Sequence, residues 1–217
     1  MNNLDISSMS PPKGSLHQRI IKELWISIAL VCIYQIALME RFIYTPFFPN
    51  EAAKKGMSQT VYAFVFSMYG FVQLIGSSLC HQYIVPTIGI KKMLILGLTI
   101  AGIANFIFGL LNRIDSLPLF TAMCFIVRAT ESFGCSAFST SMHALSTLKF
   151  FPGDIGKLMS YYCISRGIGS CFGAAFGGML YTLGGYSTPF LAIGLLQLTM
   201  VPIIWVLFKP TKGKRFS

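Results

Sequence analysis

The feature that most constrains this chain is a succession of charge-poor apolar runs, each about long enough to cross the roughly 30 Å hydrocarbon core of a bilayer as a helix. Six such runs are recognisable: near Leu24 to Phe48, Thr60 to Cys80, Met93 to Leu111, Leu117 to Phe138, Lys157 to Leu183 and Pro189 to Phe208. The sequence predicts an all-α integral membrane protein with six transmembrane helices over residues 24–208, a polar tail over 1–23 and a basic tail over 209–217. Composition agrees: 11% of the residues are charged and mean hydropathy is +0.66, against about 25% charged in an ordinary soluble domain. Met1 to Glu23 has no apolar core, so the first run is expected to be a retained span and not a cleaved leader.

A net charge of +10 raises the question of nucleic acid, and the placement of the charge answers it. Lysines and arginines gather at Lys13, Arg19 and Lys22, at Lys91 and Lys92, at Lys149 and Lys157, and at Lys209, Lys212, Lys214 and Arg215. These are the two tails and alternate connections. The remaining connections hold only Lys54, Lys55 and Arg113, so the positive-inside rule predicts cytosolic N- and C-termini and a lipid partner, with no nucleic acid. The six cysteines, Cys32, Cys80, Cys124, Cys135, Cys163 and Cys171, show no CxxC spacing and read as small apolar packing residues. No metal site, cofactor, nucleophile triad or phosphate loop is apparent, so an enzyme is not expected.

Connections sharpen the layout. Pro46 and Pro49 are expected to stop the first helix, leaving Lys54, Lys55 and Gly56 in a polar non-cytosolic loop. The short NRIDSLP between the third and fourth spans makes them antiparallel neighbours. The sixth span has no charge between Pro189 and Phe208 and reads as the plainest.

An ionised side chain near the bilayer centre costs at least about 2.5 to 3.5 kcal/mol, so charges inside spans ask for a function. In FIVRATESFG, Arg128 and Glu131 stand three apart and share a helix face. Two readings fit: a polar pathway in which Glu131 takes and releases a proton, or a static ion pair that fixes packing. Glu40 and Arg41 are adjacent, about 100° apart around a helix, and Arg41 is within snorkelling distance of the outer interface. Arg166 has the same option on the cytosolic side. Tyr34, Gln35, Gln73 and Asn105 are candidates for interhelical or substrate hydrogen bonds. His17 and His81 lie at or outside the interface, and His143 has no companion ligand.

Between Gly167 and Gly185 the chain reads GIGSCFGAAFGGMLYTLGG. Gly169, Gly173 and Gly177 recur every four residues, with Gly178 next, which lays a groove along one helix face where a neighbour can approach backbone to backbone.

Several of these motifs together resemble the major facilitator superfamily, in its vesicular amine and polyamine transporter branch. Gly169 to Gly178 is similar to the antiporter motif gxxxGPxxGG, keeping every glycine and carrying Ala174 in place of proline. RATESFG is similar to RxxqGxg, with Arg128 as the arginine, Gly134 as the later glycine and Ser132 replacing the first. The loop before the third span retains Gly89, Lys91 and Lys92 of GxxxDrxGrk, with Pro86 where the aspartate belongs. PFFPNEAAKKG, AMCFIVR and GGMLYTLGGYSTPF resemble the polyamine branch more closely.

The resemblance runs from Leu24 to Phe208 and corresponds to one half of the family fold, the N-terminal bundle. It implies proton-coupled antiport of a small organic cation, a polyamine or monoamine, across a vesicular, endolysosomal or plasma membrane. Arg128 and Glu131 would form the pathway, with Glu131 as the proton or cation site and Glu40, Arg41, Gln35 and Gln73 along it. Gly169, Gly173, Gly177 and Gly178 would form the packing surface of the antiporter motif. A complete member needs a second six-helix half, supplied by another copy or a relative. The alternative is a non-transporting half-length protein that pairs with or modulates a full-length transporter.

Overall fold

The computed structural model describes residues 32–37, 39–149 and 155–207, and every regular element among them is helical. Helix α1 covers residues 32–37 and 39–43. After a turn come α2 (Phe48–Lys54) and α3 (Gln59–Leu79), which continues through a π-helical segment, Cys80–Ile84, into α4 (Val85–Ile88). Then follow α5 (Ile90–Leu110), a 3-10 turn at Leu111–Arg113, α6 (Leu117–Lys149), α7 (Ile155–Gly184) and α8 (Ser187–Leu207). The expected tails, 1–23 and 209–217, lie outside the described residues, as does the start of the first run.

Three helical stretches among the described residues are long and apolar enough to cross a membrane: Gln59–Ile88, Ile90–Arg113 and Ser187–Val206. Helices α6 and α7 are longer, at 33 and 30 residues, but less apolar. Two local expectations need correction. The polar loop after the first span is largely helix α2, because Pro49 falls in its first turn, where a proline lacks no needed donor. Helix α6 runs past Phe138 to Lys149, since no glycine or proline interrupts the sequence before Pro152.

Helix α5 is the centre of a tightly packed block with α6 on one side and α8 on the other. Both contacts are made by glycines in reciprocal pairs. A Cβ on Gly97 would lie 2.6 Å from the Gly134 carbonyl, and one on Gly134 would lie 2.8 Å from the Gly97 carbonyl. Gly102 and Gly194 meet in the same way between α5 and α8.

Helix α7 stands apart from that block and leans on α1. Gly169 faces the Gln35 amide, Gly173 the Met39 carbonyl, Gly177 the Ile43 carbonyl, and Tyr181 stacks on Phe47 at 4.7 Å. Each step of four along one helix meets a step of four along the other, so the two run parallel with their i±4 ridges in register. A Cβ on Gly177 would run into the Ile43 carbonyl oxygen, whereas Gly178 has only Pro46 at 4.0 Å and lies beside the seam.

The ends of the bundle are tied by two lysines. Lys55 donates to the Asn112 and Ile114 carbonyls at 2.8 and 2.7 Å, joining the α2–α3 connection to the α5–α6 connection. At the opposite end Lys91 donates to the Trp205 carbonyl at 2.9 Å, capping α8 from the start of α5. The α7–α8 connection turns at Gly185, whose φ of +73° suits glycine.

Candidate functional site

The two largest apolar clusters among the described residues lie on either side of a polar layer. One cluster gathers Ile43, Phe47, Phe48, Phe108, Phe120, Tyr186 and Phe190, and the other Tyr34, Leu94, Leu98, Phe138, Met142 and Tyr162. Between them Glu40, Asn105, Arg128, Glu131, Ser132 and Gln197 are buried, with Glu40 and Glu131 at 0% exposure and Arg128 at 1%.

Glu40 is the hub of this layer. Its Oε1 accepts from the Tyr69 hydroxyl at 3.3 Å and from the Cys135 thiol. Its Oε2 accepts from Asn105 Nδ2 at 2.8 Å and from Gln197 Nε2. The donors come from α3, α6, α5 and α8, so one α1 carboxylate ties together five helices. Asn105 Nδ2 also donates to Gln197 Oε1 at 3.1 Å, which holds both amide groups toward the carboxylate. All four donors are neutral groups.

The second acid is held differently. Arg128 Nη1 donates to Glu131 Oε2 at 2.5 Å, an ion pair within one turn of α6. The guanidinium lies over the Tyr44 ring at 3.5 Å from its centroid and over Phe108 at 4.5 Å, so aromatic faces supply the rest of its surroundings. Arg128 Nη2 and Glu131 Oε1 are buried without a hydrogen-bond partner among the described residues. Ser132 anchors this stretch of α6 to α3 by donating to the Tyr69 carbonyl at 2.5 Å.

Charge counting follows from this geometry. Two carboxylates and two guanidiniums lie in or beside this layer: Arg128 pairs with Glu131, whereas Arg41, over the Tyr69 ring, makes no ion pair with Glu40 among the described residues. Glu40 is thus a buried carboxylate without a direct counter-ion among the described residues, an arrangement that is expensive when ionised.

The remaining candidates from the sequence divide. Arg41 does not snorkel outward: it is half-buried with its guanidinium 4.7 Å from the centroid of the Tyr69 ring, so it covers the face of the tyrosine whose hydroxyl donates to Glu40. Gln35 lies toward the second apolar cluster against Gly169, its amide atoms buried and unpartnered among the described residues. Gln73 is half-buried, and its carbonyl accepts from Ser136 at 3.3 Å. Cys135 is a hydrogen-bond donor to Glu40 and more than packing filler. Tyr69 and Gln197 are new members of the site. Gln197 was findable as the lone amide in an otherwise apolar run, flanked by Leu196 and Leu198.

Comparison of the sequence with known proteins identifies the family. A sequence model of the Major Facilitator Superfamily matches residues 30–217. The rat protein named MFS-type transporter SLC18B1 (Rattus norvegicus) is 33% identical over 88% of this chain and 42% of its own length. The mouse protein of that name (Mus musculus) is 36% identical over 76% of the chain and 36% of its own length, and the human one (Homo sapiens) 33% over 84% and 40%. The chain thus spans about two-fifths of the length of the curated relatives it matches. No solved structure gives a significant match. These relatives are named as transporters and not as enzymes, and on the extent of the match the chain belongs to the Major Facilitator Superfamily.

Proposed function

We propose that the chain is the N-terminal six-span bundle of a secondary active transporter, with cytosolic termini, which exchanges protons for a small organic cation, a polyamine or monoamine. The observation that carries the reading is the Glu40 carboxylate, buried in the polar layer and held by neutral donors, with no ion pair among the described residues. A proton and a cationic amine compete for one negative charge, and that competition is the minimal requirement for antiport. The layer lies between two apolar clusters, where water is scarce and electrostatic interactions are strong.

Glu40 and Glu131 share the work unequally. Glu131 has its counter-charge beside it in Arg128, while Glu40 has only neutral donors. Glu40 is therefore the better partner for an incoming cation, and Glu131 with Arg128 sets the field around it. The glycine seam between α1 and α7 is a surface along which α1 can shift without dragging interlocked side chains. Because the chain matches about two-fifths of its relatives' length, the complete pathway is expected to need a second six-helix half.

The test is uptake into proteoliposomes under an imposed pH gradient, with the chain alone and with a full-length relative co-reconstituted. Uptake of labelled polyamine or monoamine that is lost in Glu40→Gln supports the reading. Uptake only with the relative, still sensitive to Glu40→Gln in this chain, assigns it to a paired half. No uptake in either arrangement, or uptake indifferent to both Glu40→Gln and Glu131→Gln, rules out the antiporter.

A further inference from the structure

We propose that Asn105 and Gln197 are positioning residues for Glu40: helices α5 and α8, which bring no charge to the polar layer, set the proton affinity of its free carboxylate. The inference rests on the reading of Glu40 as the exchangeable site and deepens it.

The geometry is specific. Both amides donate to the same oxygen, Oε2, while the other oxygen is served by Tyr69 and Cys135. A primary amide has two protons and an acceptor oxygen, and it can turn over end for end. Here a turn of Asn105 would bring its Oδ1 against the three oxygens that now share the two Nδ2 protons: Glu40 Oε2 at 2.8 Å, Gln197 Oε1 at 3.1 Å and the Ala101 carbonyl at 3.2 Å. With Gln197 Oε1 engaged, Gln197 can offer Glu40 only its NH2 group. The pair is thereby fixed with its donors toward the carboxylate, an arrangement that favours the ionised form over the protonated one.

The platform beneath the amides is rigid. Gly102 and Gly194 bring the α5 and α8 backbones together on either side of the two residues, with a Cβ on Gly194 falling 2.9 Å from the Gly102 carbonyl. The other groups around Glu40 are Tyr69 from α3, Cys135 and the Arg128–Glu131 pair from α6, Arg41 from its own helix and Tyr44 from the turn that follows it. Helix α7 meets the α1 backbone beside Glu40 through Gly173. Asn105 and Gln197 are thus the non-titrating members of the shell, and substituting them changes proton affinity without adding or removing a charge.

The experiment reads protonation directly, independently of transport. The full chain in lipid nanodiscs is titrated while the infrared carboxylic-acid C=O band is followed, the Glu40 component being the part that Glu40→Gln abolishes. Asn105→Leu and Gln197→Met remove a donor each at nearly constant volume. Each is expected to raise the pH midpoint of that component by roughly one to two units, a tenfold to hundredfold gain in proton affinity for one lost hydrogen bond to a charged acceptor. Leu198→Ala loosens the α5–α8 contact at Gly102 without touching the amides, so it should lower thermal stability and leave the midpoint unchanged. If Asn105→Leu fails to fold, Gln197→Met alone carries the test.

An unchanged midpoint in the folded variants, or an equal shift in Leu198→Ala, overturns the positioning role. A band untouched by Glu40→Gln overturns the premise that Glu40 titrates. Loss of transport with the predicted midpoint shifts intact would instead count against the antiporter reading alone.

Discussion

Two buried acids lie in one polar layer and are stabilised by opposite strategies. Glu131 has a full counter-charge one turn away on its own helix, and the pair is complete within α6. Glu40 has four neutral donors contributed by four other helices and, among the described residues, no ion pair of its own. The first arrangement is local and survives any rigid motion of α6. The second exists only while five helices keep their positions, so movement of any one of them changes the stability of the charge on Glu40. A bundle that must couple a proton to a conformational change gains from having its titrating acid in the second arrangement and its fixed field in the first.

The largest effect should come from breaking the local pair. Arg128→Met leaves Glu131 buried without its counter-charge, and removing one partner of a buried pair costs about 3 to 5 kcal/mol. Thermal unfolding of the purified chain in detergent should register that loss. The double change Arg128→Met with Glu131→Leu removes both charges and should recover most of it. Stability as low in the double variant as in the single one would mean that the arginine acts through its Tyr44 and Phe108 contacts and not as a counter-charge.

Next comes the seam that carries α1. A leucine at Gly177 has no room against the Ile43 backbone, and overpacking of this kind costs about 1 to 3 kcal/mol. The displacement should fall on α1, and so on Glu40, leaving the Arg128–Glu131 pair alone. Cys135 offers the readout, because its thiol is buried against Glu40. Its labelling by a membrane-permeant maleimide should rise in Gly177→Leu and stay at the wild-type level in Gly178→Ala, where only Pro46 lies within 4.0 Å. Equal labelling in both variants would uncouple the seam from the hub.

The same contrast explains what could be read from the chain alone. Arg128 and Glu131 are three residues apart, so helical spacing is enough to pair them. Glu40 meets its partners across 29, 65, 95 and 157 residues, and no spacing rule reaches that far. A cysteine in an apolar run looks like filler, and a single glutamine in the plainest run looks incidental, until the fold brings both to one carboxylate. The glycines divide in the same manner. Those of α7 repeat every four residues and so outline a groove, although the groove does not name α1 as its occupant. Gly134 and Gly194 sit singly on α6 and α8, and Gly97 and Gly102 stand five apart on α5; they too make close backbone contacts, with no four-residue periodicity to announce them.

A smaller loss tests the hub one donor at a time. Cys135→Ala removes one of the four hydrogen bonds to Glu40 and leaves the small volume nearly unchanged. With three donors remaining the cost should be about 1 kcal/mol, seen as a modest fall in melting temperature. Cys135→Ser, which keeps a hydroxyl donor, should recover it. If serine and alanine behave alike, the thiol contributes by packing and the hub has three working donors.

The smallest effect lies at the end of the seam, where an acid outside the polar layer has both kinds of partner at once. Glu51 on α2 accepts from Tyr181 at 2.6 Å and pairs with Lys54 at 2.6 Å. Burial pushes its carboxyl upward, but the hydrogen bonds from Lys54 and Tyr181 outweigh that and hold it below the ordinary value of 4.5. An acid held low stabilises the fold in its ionised form. The contribution is complete above about pH 4.5 and fades as pH falls through the depressed folded value. Water and salt screen a pair this exposed, so Tyr181→Phe should cost less than about 1 kcal/mol at neutral pH. The difference between Tyr181→Phe and wild type should shrink further in acid, once Glu51 is protonated in both. A difference that stays constant from neutral pH down to below 4 would place the role of Tyr181 in its stacking on Phe47, which the phenylalanine variant retains, and not in the carboxylate.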